Sequence, residues 1–92
     1  MNFGQAIELL KQSERVCRKG WNGKNMFIYL VKGTDLADRD ELRNEADEHI
    51  PSLENGVKIN SHIDMFAADE TIVVGWLASQ TDILAEDWQI AE

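Results

Sequence analysis

Ninety-two residues make one domain and no more, spanning residues 1–92. A chain this short buries only about 60–65% of its unfolded surface. Its core is thin, and association with further copies is a common way to gain burial. The formal net charge of −8 argues against a nucleic-acid binder, because a phosphate backbone demands a basic surface.

In chain order, Asn2 followed by Gln5 has the form of a helix N-cap with a reciprocal partner three residues on. Phe3, Ala6, Ile7 and Leu10 then share one face at helical spacing, predicting a helix to about Gln12. Val16 to Lys19 alternates apolar and basic residues, as a half-exposed strand does. Asn22-Gly23 is a strong hairpin signal, since both residues accept positive φ cheaply. Met26 to Lys32 is the returning strand, which puts Trp21 at the hairpin tip. Thr34 to Glu54 differs in kind: an acidic amphipathic helix is expected from about Asp38 to His49, closed by Pro51. This acidic stretch, residues 34–56, has the look of an insertion. Val57–Ile59 and His62–Phe66 read as short strands, Ala68-Asp69-Glu70 as a turn and Thr71–Val74 as a strand broken by Gly75. Ser79 with Asp82 repeats the capping-box pattern ahead of a short helix, and Trp88-Gln89-Ile90 alternates as a last strand. The expected class is α+β: a small antiparallel sheet with an N-terminal helix and short additional helices.

Charge is unevenly spread. From Lys11 to Lys32 six basic residues stand against one acid, Glu14; from Gly33 onward three stand against fifteen. The basic stretch coincides with an aromatic and glycine cluster, so a small anion suits it while the remaining surface repels polyanions. Cys17 is the only cysteine, so no intrachain disulfide forms. It reads as a small half-buried hydrophobe in a reducing cytoplasm rather than as a reactive thiol. Met1 to Gln5 lacks the basic-then-apolar pattern of a signal peptide. The run Met26–Val31 is too short to span a bilayer. A soluble, cytoplasmic protein is expected.

Catalytic equipment is sparse. His62 and Asp64 share a strand face, but a metal needs a further ligand, and His49 is the only other histidine. Ser79 and Thr81 near Asp82 are explained by capping rather than by a nucleophile and its base. No phosphate loop of the usual spacing occurs. Trp21 and Trp76 are more informative, each following a glycine at a strand end. A tryptophan so placed offers a face for stacking a base, at about 1–3 kcal/mol per base. The competing reading is that both plug the ends of the sheet. Asn22, Gly23 and Lys24 add backbone donors and a cation beside Trp21. Ser79, Gln80, Thr81 and Asp82 place polar groups and a helix start beyond Trp76, a setting that favours phosphate. Together these describe a nucleotide pocket.

The blocks Met1-Asn2-Phe3-Gly4 and Arg18-Lys19-Gly20-Trp21-Asn22-Gly23-Lys24 resemble the start of the second named family of phage Thoeris anti-defence proteins. The similarity continues at His62-Ile63-Asp64-Met65 and from Gly75 to Trp88, in the same order. The resemblance implies a sponge: a cyclic ADP-ribose-type signal made by TIR-domain enzymes (gcADPR and its relatives) is bound without cleavage, starving the downstream effector. Cyclic dinucleotides are implied as further ligands, and a homotetramer with pockets between subunits as the assembly. No catalytic residue, metal or cofactor is implied. Carried over, Trp21, Asn22, Lys24 and Phe27 form one side of a pocket, where the Gly23 backbone and a phosphate contact from Arg18 are also expected. Trp76, Ala78, Ser79, Gln80, Thr81 and Asp82 form the other. Two departures stand out. Glu70 occupies a turn position where glycine is usual, and the acidic segment lies where the family varies most.

Three functions follow as expectations. The first is non-catalytic sequestration of a cyclic nucleotide signal. The second is a phosphodiesterase using His62 and Asp64 on the same signal. The third is an acidic interaction protein whose Asp35–Glu54 segment occupies a nucleic-acid-binding surface of a host protein.

Overall fold

The computed structural model describes residues 1–36, 42, 45–51 and 53–92. The chain divides into two compact units, Met1–Val31 with His62–Glu92, and Lys32–Ser61.

The first unit begins with α1 (Phe3–Lys11), whose expected capping box is complete. Gln5 N–H donates to Asn2 Oδ1 at 2.8 Å, and Asn2 N–H donates to Gln5 Oε1 at 2.9 Å. Two of the amides a helix start leaves unpaired are thereby satisfied. The apolar stripe buries Ala6 and Leu10, with Phe3 and Ile7 packed beside them. Ser13, at φ +68°, ends the run.

A five-stranded antiparallel sheet follows, built from β1 (Val16–Arg18), β2 (Phe27–Val31), β5 (His62–Phe66), β6 (Ile72–Val73) and β7 (Trp88–Ile90). Its spatial order is β6-β5-β2-β1-β7. Val16 faces Ile28, Ile28 faces Met65, and Arg18 faces Trp88. Strand alternation therefore collects Val16, Ile28, Met65 and Trp88 on one face, where they join Ala6 and Leu10 as the buried core. Each such large apolar side chain contributes about 1.5–3 kcal/mol on leaving water. The same alternation sends the pairs Cys17–Gln89 and Phe27–Phe66 to the opposite face.

The hairpin of β1 and β2 forms, but not through a tight Asn22-Gly23 turn. Residues 19–26 separate the strands, and the left-handed residue is Asn25, at φ +62°. Gly23 is needed for space instead, since a Cβ there would lie 2.6 Å from the Cβ of Ala68 and closer still to Met26 Sδ. The turn before β6 does have a left-handed residue, Glu70 at φ +68°. Asp69 Oδ1 braces it by accepting from Thr71 N–H at 3.1 Å and Thr71 Oγ1 at 2.6 Å. These bonds, the side-chain one first, hold the Asp69 carboxyl below the ordinary carboxylate range. The backbone keeps the shape glycine would adopt, although the side chain is not glycine's. Ser79 caps α3 (Gln80–Leu84) with Asp82 as its reciprocal partner, as the spacing predicted.

The second unit holds β3 (Thr34–Leu36), α2 (Glu45–His49) and β4 (Val57–Ile59). β3 was not expected, as Thr34 opened the acidic stretch in the sequence reading. It forms because it pairs with β4, in the register Thr34–Ile59, Asp35–Lys58 and Leu36–Val57. Opposite charges face each other at its centre, a favourable cross-strand pair. α2 covers the end of the helix expected over 38–49. Residues 38–41, 43 and 44 of that expectation lie outside the described residues. Among the described residues, no helix is long and apolar enough to cross a membrane.

Candidate functional site

The sequence marked Trp21 and Trp76 as stacking platforms and Trp88 as core. Trp88 is 2% exposed, and both other rings pack against it in this chain. Trp21 meets Trp88 at 5.4 Å and Trp76 at 6.2 Å between ring centroids, and Trp76 meets Trp88 at 6.3 Å. All three contacts are edge-to-face, the geometry that pairs a ring's positive edge with its neighbour's negative face. Trp21 and Trp76 are half-buried, so each keeps part of its surface at the exterior. Their side chains combine the two readings weighed from sequence: each plugs the core at one edge and faces solvent at another.

A polar lock holds this corner. Arg18, leaving β1, donates Nη1–H to Asp82 Oδ1 at 2.9 Å and Nε–H to Asp87 Oδ1 at 2.8 Å. Trp21 Nε1–H also reaches Asp82 Oδ1, at 3.2 Å, and Trp88 Nε1–H donates to the Asp82 carbonyl at 2.9 Å. Asp82 Oδ2 takes Ser79 N–H, while Asp87 Oδ2 takes Gly20 N–H at 2.7 Å. Burial alone would raise the Asp82 carboxyl, but bonds from Arg18, Trp21 and Ser79 outweigh it and hold it below the ordinary range. Asp87 is likewise lowered, chiefly by Arg18, and Arg18 is raised by Asp87 first and then Asp82. A buried carboxylate persists because its charge is neutralised and its lone pairs are occupied. Asp82, expected to read a ligand edge, is already committed to three donors within the chain. Through them it fixes the positions of Arg18 and Trp21.

Beside this corner lies an open cleft of about 660 Å³, on the sheet face opposite α1. Arg15 and Lys19 bring positive charge to its wall, Arg18 lines it while paired with Asp82 and Asp87, Glu92 adds one acid, and Trp21, Phe27 and Phe66 bring aromatic surface. The guanidinium of Arg15 sits 4.7 Å over the Phe27 ring, a cation–π contact, and Phe27 and Phe66 rings lie 5.2 Å apart. Cys17, Gly23, Asn25, Met26 and Gln89 complete much of the lining. Cys17 Sγ accepts from Gln89 Nε2 at 3.8 Å. Chemically the cleft offers flat apolar surfaces beside cations, which suits a planar ring carrying phosphate.

Of the residues singled out from sequence, Arg18, Trp21, Gly23 and Phe27 line this cleft. Asn22 and Lys24 are exposed on the same loop, outside its wall. Trp76, Ser79 and Asp82 form the neighbouring corner instead, joined to the first group through Trp21 and Arg18, with Ala78, Gln80 and Thr81 beside them in the chain at the start of α3. Arg15, Lys19, Phe66 and Gln89 were not singled out. The basic run from Lys11 pointed at the first two, whereas Phe66 and Gln89 reach the cleft only through strand pairing. His62 Nε2 lies 3.4 Å from Asp64 Oδ1, so the two do meet on β5. Among the described residues, no three His, Cys, Asp or Glu side chains group closely enough to hold a metal ion.

Residues 1–91 match the Thoeris anti-defense 2-like domain. The chain is also 43% identical over 90 residues to Thoeris anti-defense 2 of Bacillus phage SP01, covering 98% of this chain and 93% of the relative. This protein belongs to the Thoeris anti-defense 2-like family.

Proposed function

We propose that this member of the Thoeris anti-defense 2-like family blocks Thoeris defence by holding a cyclic ADP-ribose-type signal without turning it over. The observation that carries the reading is the cleft: Arg15 and Lys19 beside Trp21, Phe27 and Phe66, in a chain of net charge −8. Such a surface attracts a small dianion that also presents a base for stacking, while the surrounding acidity turns long polyanions away. Mass action then suffices, provided the protein outnumbers the signal and releases it slowly. Cyclic dinucleotides share the same chemistry and fall within the reading.

The acting form is a homotetramer in the host cytoplasm, with pockets completed between copies. A thin core supports association, as do the exposed side chains of Val74, Leu77 and Leu84. Light scattering should then return about four times the chain mass.

The decisive experiment incubates the protein with purified cyclic ADP-ribose-type signal, washes it, heats it and identifies the released molecule by mass spectrometry. Intact ligand is expected from wild type, and at least tenfold less from Trp76→Ala, which removes the ring that Trp21 of the cleft packs against. A hydrolysed product would replace the sponge with a phosphodiesterase. The acidic segment is tested by excision. Val31 and His62 are direct partners in the β2–β5 ladder, so an Asn-Gly pair in place of Lys32–Ser61 would close a tight hairpin. Ligand retention should survive this deletion; its loss, with the tryptophan corner intact, would make that segment the active face.

A further inference from the structure

Among the described residues two charged side chains are buried, Asp82 and Asp64. The first is explained by Arg18, Trp21 and Ser79. Asp64, 6% exposed, calls for its own account, because a carboxylate taken out of water persists only where it makes compensating bonds.

Its partners lie at one place. Asp64 Oδ1 accepts the N–H of Gly75 at 3.0 Å, with His62 Nε2 3.4 Å from the same oxygen. The next amide, that of Trp76, donates to the carbonyl of Ile63 at 2.7 Å. The β5–β6 ladder pairs Phe66 with Ile72 and Met65 with Val73 and goes no further. Where it stops, the Asp64 side chain takes the amide that a strand carbonyl would otherwise serve. Consecutive amides of Gly75 and Trp76 are thus tied to consecutive residues of β5, one through a side chain and one through the main chain. Gly75 stands at φ +78°, and a Cβ there would meet nothing within 4 Å. Glycine is therefore required by the backbone angle and not by crowding. That left-handed step turns the chain so that the Trp76 ring reaches Trp21 and Trp88.

We infer that Asp64 is a positioning residue for the binding corner: its carboxylate clamps Gly75 in the left-handed conformation and thereby sets the Trp76 ring. The inference rests on the binding role proposed above for the cleft, whose Trp21 wall packs against Trp76, but its first readout needs no ligand. A helix-capping or metal-binding role for Asp64 would not couple it to a tryptophan beyond the next strand.

Three forms of the full-length chain are compared: wild type, Asp64→Asn and Asp64→Ala. Asparagine keeps an oxygen for the Gly75 amide, and alanine removes it. Near-ultraviolet circular dichroism and tryptophan emission report the three-ring cluster, and calorimetric titration with cyclic ADP-ribose reports binding. Asp64→Ala should lose the coupled tryptophan signal, shift emission to the red and bind at least tenfold more weakly. Asp64→Asn should stay within about threefold of wild type in affinity and keep the spectrum. An alanine variant with wild-type spectrum and affinity overturns the clamp. If wild type does not bind this probe, the proposed function is at fault, and the spectra still decide the clamp. Should Asp64→Ala not fold, amide hydrogen exchange of wild-type protein takes its place. Gly75 N–H must then be protected to the level of the Trp76 amide, and rapid exchange overturns the inference.

Discussion

Among the described residues, every side chain that leaves water almost completely belongs to the unit formed by Met1–Val31 and His62–Glu92: Ala6, Leu10, Val16, Ile28, Met65 and Trp88 among the apolar ones, Asp64 and Asp82 among the charged. Among the described residues of Lys32–Ser61 none is buried, and Leu53 and Ile59 are exposed. Charge does not separate the units. The first carries five basic residues against nine acids, the second four against eight. What separates them is periodicity. In the first, helical and alternating apolar positions converge on one face; in the second, order rests on a three-pair ladder and a five-residue helix. Burial, rather than composition, decides which part of this chain carries a rigid site.

That comparison breaks if the two units respond alike to substitution. The largest effect is expected for Trp88→Ala, which removes a ring in contact with Phe3, Trp21 and Trp76. A loss of about 3–5 kcal/mol is expected, close to the whole stability of a small domain, read from urea unfolding. Next comes Arg18→Met, which leaves the nearly buried Asp82 without its cation. About 2–3 kcal/mol should be lost. The same variant sharpens the pH response. Asp82 and Asp87 ionise below the ordinary carboxylate range in the folded chain. Their contribution is therefore present above the unfolded value, near pH 4, and is lost as pH falls through the lowered folded values. Melting temperature should hold steady from about pH 8 to 5 and fall below about pH 4, less steeply in Arg18→Met. An equal slope in both proteins would remove the lock from the explanation.

Smaller effects probe the turn and the second unit. Glu70→Gly relieves a left-handed residue and should stabilise by about 0.5–1 kcal/mol, raising the melting temperature by a few degrees. Destabilisation would mean that the Glu70 side chain makes a contribution larger than its backbone strain. Ile59→Ala, at a side chain 41% exposed, should change stability by no more than about 0.5 kcal/mol. A loss of 2 kcal/mol or more would erase the contrast between the units.

Much of the architecture was legible because its signals are local. Asn2 with Gln5, and Ser79 with Asp82, announce helix starts through bonds that span three residues. Strands β1 and β7 are written in alternation, and β2 in a run of β-branched and aromatic residues. β3 was missed because Thr34–Leu36 has no apolar pattern of its own and exists through its partner β4. The Asn22-Gly23 turn was overvalued because the loop is longer than the dipeptide, and Asn25 takes the left-handed position. Half of the site was legible as well: tryptophans after glycines and a basic run are visible in one dimension.

The sequence by itself determined the α+β class, the two capped helices, the family and the residues rich enough in aromatic and cationic character to matter. Tertiary structure decided how they are used. It brought Arg18 and Trp21 onto Asp82 across more than sixty residues, paired Phe27 with Phe66 at the cleft wall, and bound Gly75 to Asp64. Contacts between residues distant in the chain depend on strand order and register. Those are set by which apolar face is buried, a property of the assembled sheet that no single segment encodes.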